Sequence, residues 1–97
     1  MKLGVCKVKL RMPENDTLKG KRRLTRSIIT RVRSKFNVAV AEVDDQDLRR
    51  VVTIGFSSVS NDTTHVNEML SRIVQYVEQC RLDAELLDYE IEILDVL

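Results

Sequence analysis

The chain opens on a two-residue alternation. From Lys2 to Leu10, Gly4, Cys6, Val8 and Leu10 fall on one side while Leu3, Val5, Lys7 and Lys9 fall on the other, which is the pattern of a strand with one face on a core. Met12-Pro13-Glu14-Asn15-Asp16 interrupts it, because proline has no ladder donor and Asn and Asp favour turns. From about Thr17 to Phe36 the period changes. Leu18, Leu24, Ile28, Ile29, Val32 and Phe36 recur at helical spacing and share one side of a helix, with Thr17 or Asp16 available as its cap. Residues 37–44 (NVAVAEVD) read as a short second strand, Asp45-Gln46-Asp47-Leu48 as a polar connection, and residues 51–60 (VVTIGFSSVS) as a third strand. Ser60-Asn61-Asp62 is an N-cap cluster ahead of Val66, Met69, Leu70, Ile73, Val77 and Cys80, the clearest helical stripe in the chain. Leu87, Tyr89, Ile91 and Ile93 then alternate with Asp88, Glu90 and Glu92, a last strand with one polar face.

The order β-α-β-β-α-β with short links predicts an α+β, ferredoxin-like two-layer sandwich: one four-stranded antiparallel sheet with both helices on one face, in a single domain spanning residues 1–97. First and last strands should be neighbours. That would set Lys7 and Lys9 beside Asp88, Glu90 and Glu92, where opposite charges on adjacent strands favour pairing. The face without helices would carry Leu3, Val5, Val51 and Val59, an apolar patch that a second copy could cover.

Composition adds few constraints. Ninety-seven residues that are 43% hydrophobic suffice for one core without metals or disulfides. No apolar run reaches the roughly 18 residues of a membrane span, and Met1-Lys2-Leu3-Gly4-Val5-Cys6 is not a signal peptide, so no membrane association and a cytoplasmic location are expected. Cys6 and Cys80 each sit in an apolar pattern and read as buried thiols.

Charge is more telling. The net value of +1 hides twelve Lys/Arg against two acids in residues 1–36 and four against thirteen in residues 37–97, or +10 and −9. The first helix holds Lys19, Lys21, Arg22, Arg23, Arg26, Arg31, Arg33 and Lys35, with no acid between Thr17 and Ala41. Lys19, Arg22, Arg26 and Arg33 line up opposite the apolar stripe with Arg23 beside them. Lys21, Arg31 and Lys35 are expected on the flanks, stems over the core edge and charges in water. Cations near a helix start oppose the helix dipole, and Lys19/Arg23 and Arg22/Arg26 are like-charge i, i+4 pairs. An external anion would relieve both. Successive phosphates of a nucleic-acid backbone fit such a ridge, with Lys19, Arg22, Arg23, Arg26 and Arg33 as contacts and Lys21 in support. A solvated face serving only solubility is the competing reading.

Thr17-Leu18-Lys19-Gly20-Lys21-Arg22, then Arg33-Ser34-Lys35-Phe36-Asn37-Val38-Ala39-Val40-Ala41-Glu42-Val43-Asp44, with Gln46-Asp47-Leu48 and Val59-Ser60-Asn61-Asp62 further on, resemble the bacterial YlxP-like family, whose function is unknown. The resemblance covers nearly the whole chain. It implies a ferredoxin-like fold and, because genes of the family commonly sit beside those for transcription termination, translation initiation and ribosome maturation, a ribosome-associated or RNA-linked role. Gly20, Asp45 and Arg49 depart from the family pattern, standing where an acid, a histidine and an aromatic are common.

Catalytic chemistry is not evident. His65, the one histidine, has no nucleophile partner and reads as a surface residue at the start of the second helix. Asp44, Asp45 and Asp47 lack the spacing of a calcium loop and read as a capped connection. Acylphosphatase shares the size and topology, but the loop Arg11-Met12-Pro13-Glu14-Asn15 has none of the glycines of its phosphate cradle. RNA-recognition-motif domains stack bases on sheet aromatics, whereas Phe56 is expected to face the helices. No enzyme activity, cofactor or metal is expected. The expected function is an accessory protein binding RNA through the basic helix, ribosomal RNA being what the resemblance implies. The alternative is a homodimeric interaction module.

Overall fold

Residues 1–12, 17–80 and 84–97 are described by the structure, a computed structural model of the chain. The elements are β1 (Lys2–Arg11), α1 (Leu18–Lys35), β2 (Ala39–Asp44), β3 (Val51–Ser60), α2 (Thr63–Gln79) and β4 (Glu85–Asp95). The turn expected between β1 and α1 lies, Met12 apart, outside the described residues.

The alternation in β1 decides which face of the sheet meets the helices. Gly4, Cys6, Val8 and Leu10 are buried, and Lys7, Lys9 and Arg11 are exposed. The four strands form one antiparallel sheet in the order β2-β3-β1-β4, so the first and last strands are neighbours and the fold is the expected α+β, ferredoxin-like one. Cys6, Val8 and Leu10 of β1 join Val52, Ile54 and Phe56 of β3 under Leu24, Ile28 and Val32 of α1 and Val66, Leu70, Ile73 and Val77 of α2. Phe56 faces the helices, as its place in the alternation requires. At Gly4 the second helix comes so close that an added Cβ would lie 2.1 Å from Val66 Cγ1.

Both helix starts follow the side-chain chemistry of capping. Thr17 Oγ1 accepts from Gly20 N at 3.1 Å and Asp62 Oδ1 accepts from Thr64 N at 2.9 Å. His65 in the first turn of α2 is exposed.

Two expectations need correction. The alternation in β4 holds in register for Tyr89, Ile91 and Ile93, opposite Val8, Cys6 and Gly4, although Tyr89 is 51% exposed, and it fails at Leu87. A register shift where Lys9 pairs with Asp88 and Leu10 with Leu86 leaves Leu87 unpaired, and Leu86 takes the inward place. Nor do Lys7 and Lys9 bond the acids of β4, although Glu90 and Asp88 are their partners in register. They reach across β3 to Asp44 at 3.7 Å and Asp45 at 3.8 Å. Gly55, opposite Lys7, has no side chain to block the way. Charge pairing between β1 and β4 is confined to the ends, Lys2 with Asp95 at 3.0 Å and Arg11 with Glu85 at 3.8 Å.

Gly4→Ala should therefore cost about 1–3 kcal/mol, from overpacking against α2, read as a lower urea midpoint with the slope unchanged. Burial pushes the Cys6 thiol up to about 11, while Cys80 is only half-buried. A thiol reagent at pH 8 should label Cys80 and reach Cys6 only on unfolding. Because the folded state keeps the Cys6 proton, its contribution to stability is intact below about 9 and fades as pH rises through about 11.

Candidate functional site

Helix α1 carries its charges in three different settings. Lys19, Arg22, Arg23, Arg26 and Arg33 are exposed, and none of them forms an ion pair among the described residues. Arg31 is exposed, and Lys35 lies on the flank toward α2, where its Nζ sits 4.5 Å from the Tyr76 ring centroid. Phe36 meets Tyr76 edge-on at 5.6 Å, which fixes that ring.

Lys21 is the exception. The sequence reading places it on a flank with its charge in water, but it is only 3% exposed. Its Nζ donates to the carbonyl oxygens of Asp45, at 2.6 Å, of Gln46, at 3.3 Å, and of Leu48, and it stands 3.6 Å from Glu42 Oε2. The physical reason is positional. Lys21 precedes Leu24 by three residues and Ile28 by seven, so it belongs to the middle of the buried face. Leu18 is displaced instead and is 47% exposed. The ammonium is tolerated inside because all three of its donors are matched and a carboxylate balances the charge.

Glu42 arrives at this point through the alternation of β2. It pairs with Ile54, which is inward-facing, so its side chain enters the helix side of the sheet. The β2–β3 connection is held from both faces. Lys21 takes its carbonyls from the inside, and on the other side Asp45 accepts from Thr53 Oγ1 and pairs with Lys9. Asp45 adopts a φ of 61°, a left-handed conformation that Asp tolerates better than most residues, and Leu48 N donates to its carbonyl at 3.0 Å.

Between α1 and this connection lies a cleft of about 650 Å³. Arg22, Arg26 and Arg33 rim it, Leu18 and Ile29 give it an apolar wall, and Lys21, Thr25, Glu42, Gln46 and Asp47 also line it. Of the residues singled out from sequence, the fold thus gathers Arg22, Arg26 and Arg33 at one opening, leaves Lys19 and Arg23 on the adjoining solvent face, and withdraws Lys21 into the interior. Thr25, Glu42 and Gln46 were not singled out. The period of α1 could have flagged Thr25, and the Val38, Val40, Glu42 alternation could have flagged Glu42. The acids Glu90 and Glu92 line a separate trough on the helix-free face, whereas Asp47, with Glu42, lines the cleft beside Arg22, Arg26 and Arg33 and forms no ion pair with them among the described residues.

Replacing Lys21 by Met should destabilise the chain by about 3–5 kcal/mol, since the Glu42 carboxylate loses its counter-charge. The double change Lys21→Met with Glu42→Leu should cost clearly less than the sum of the single changes, as urea titrations would show.

A protein of Bacillus subtilis (strain 168) described as uncharacterized protein YlxP is 28% identical over 76 residues, covering 78% of this chain and 83% of its own. Among solved structures, the de novo designed protein Foldit4 aligns with a TM-score of 0.52 at 15% identity, over 98% of this chain and 99% of its own. The crystal structure of protein SO0527 from Shewanella oneidensis aligns with a TM-score of 0.52 at 18% identity, over 96% of this chain and 89% of its own. These likenesses are of fold alone, and a fold shared with a designed protein carries no function with it. No described helix is long and apolar enough to cross a membrane. The model of the family described as protein of unknown function (DUF503) matches residues 3–91, and with the YlxP-like match this chain belongs to that family.

Proposed function

We propose that this protein binds RNA through backbone phosphates, using Lys19, Arg22, Arg23, Arg26 and Arg33 of α1. The observation that carries the reading is a row of five exposed cations with no ion-pair partner among the described residues, three of them gathered at the mouth of one cleft. Lys35 is already drawn over the Tyr76 ring, and Lys21 acts as a framework residue rather than a contact. The guanidinium forks of Arg22, Arg26 and Arg33 match phosphate oxygens in pairs. The genomic setting expected of YlxP-like proteins points to the same class of partner and suggests ribosomal RNA, and a ribosome-linked role would place the protein in the cytoplasm.

A second reading rests on the opposite face. In register, Val59, Leu3 and Leu94 form an apolar row across β3, β1 and β4, with Val59 59% exposed. Beside it, Val5, Ala39, Val43 and Gly55 line a trough of about 470 Å³. Two such faces brought together would form a homodimer and bury this surface. The two readings use different faces and are compatible.

Fluorescence competition against a labelled ribosomal RNA hairpin tests the first. Affinity should fall with salt at a log–log slope of roughly −3.5 to −4.5 if all five cations engage phosphates. The double reversal Arg22→Glu/Arg26→Glu should abolish specific binding, and unchanged affinity in that variant would remove α1 from the interface. For the second reading, light scattering should give a dimer that Val59→Glu converts to a monomer. A wild-type protein that stays monomeric at high concentration removes it.

A further inference from the structure

The cleft beside α1 holds chemistry that phosphate binding leaves unused. Glu42 Oε2 is buried and accepts no hydrogen bond, while the Glu42 side chain as a whole is 25% exposed and lines the cleft. The cause is local: Lys21 directs its donors at the carbonyls of Asp45, Gln46 and Leu48, and its 3.6 Å approach to Glu42 balances charge without supplying a hydrogen. On the α1 side of the same cleft, Thr25 is 8% exposed and its Oγ1 is likewise buried without a partner. Buried polar atoms are nearly always paired, so two orphans lining one cleft mark positions that water or a ligand fills.

The surroundings narrow what that ligand can be. A carboxylate accepts only, so its partner must bring N–H or O–H donors. The cations Lys21, Arg22, Arg26 and Arg33 outnumber the carboxylates Glu42 and Asp47 in this lining, so a neutral donor group joined to an anion suits it better than a cationic donor. Leu18 and Ile29 offer an apolar wall for a flat ring, which gives the otherwise costly exposure of Leu18 a purpose. Among nucleobases, guanine alone presents adjacent donors, N1–H and the N2 amino group, on one edge. Adenine and cytosine place an acceptor nitrogen beside their amino group, and uracil sets its single N–H between two carbonyls. Single-stranded RNA is read in this way, through unstacked bases bonded on their Watson–Crick edges.

We propose that this cleft receives one unstacked guanine, its N1–H and N2 amino edge on the Glu42 carboxylate and its phosphate among Arg22, Arg26 and Arg33. The inference rests on the RNA-binding reading of α1 and adds base selection to it. The same chemistry belongs to a guanine within RNA and to a free guanine nucleotide, and both are to be measured.

The test uses the full-length wild-type protein with labelled uridine 9-mers whose central residue is guanine, inosine or adenine, alongside free GMP and AMP. The guanine oligomer should bind roughly 5–100-fold more tightly than the adenine one, the span expected for a bidentate base contact. Inosine, which lacks the N2 amino group, should fall between them, a comparison that needs no protein variant. Glu42→Gln should collapse the guanine-to-adenine ratio, and a ratio that survives overturns the role of Glu42. Equal affinity for all three oligomers overturns the guanine site while leaving phosphate binding in place. GMP binding in preference to AMP, with no oligomer bound, supports the site but rejects RNA as its source. Failure of every probe rejects both the site and the RNA-binding reading.

Discussion

Taking a lysine ammonium out of water costs several kcal/mol unless its donors and its charge are both met. In this chain a single group, Lys21 Nζ, is met by three carbonyls of the β2–β3 connection and by the Glu42 carboxylate, so the first helix is tied to the connection at its least replaceable point. The distance from α1 to residues 45–48 is thereby fixed, and with it the width of the cleft that Arg22, Arg26 and Arg33 overlook. Because the lysine spends its hydrogens on carbonyls, the carboxylate keeps an unfilled acceptor. The framework and the cleft chemistry are two consequences of one burial.

The sheet then acts as a divider. Arg22, Arg26 and Arg33 stand on the helix side, whereas Glu90 and Glu92 line the helix-free face. Lys7 and Lys9 cross Gly55 and Thr53 to Asp44 and Asp45, so the middle of β1 is neutralised from β2. The two charged halves of the sequence are thus mixed in three dimensions: Glu42 and Asp47 join the arginines beside α1, and Lys7 and Lys9 lie with Asp44 and Asp45 on the other side. The exposed ion pairs among these groups are worth little individually, typically 0–1 kcal/mol. Their main effect is on the field each face presents to a partner.

The stiffness of the sandwich comes from elsewhere. Gly4 lets α2 settle onto β1 with Val66 and Leu70 against the backbone, and Gly55 leaves room for Val43 on the opposite face, where an added Cβ would lie 2.7 Å from Val43 Cγ1. Each glycine serves as an absent side chain, one inside the core and one under the trough of the helix-free face. These are packing requirements, independent of any ligand.

Local periodicity was enough to read the element order, the inward sets of β1 and β3, the stripe of α2 and the Asp62 cap, because neighbours in sequence dictate which side of a strand or helix a residue occupies. The same reasoning, applied without regard to residue type, would have put Lys21 inside. Its charge argued for water, and only the carbonyls of Asp45, Gln46 and Leu48, some two dozen residues away, make burial tolerable. The Leu87 bulge and the choice of Lys7 and Lys9 for β2 over β4 depend on strand pairing across the chain, which periodicity does not encode. A row of cations was written into the sequence. Which of them face water, which one is sealed inside, and the cleft they border were decided by tertiary contacts, because desolvation is a property of three-dimensional surroundings.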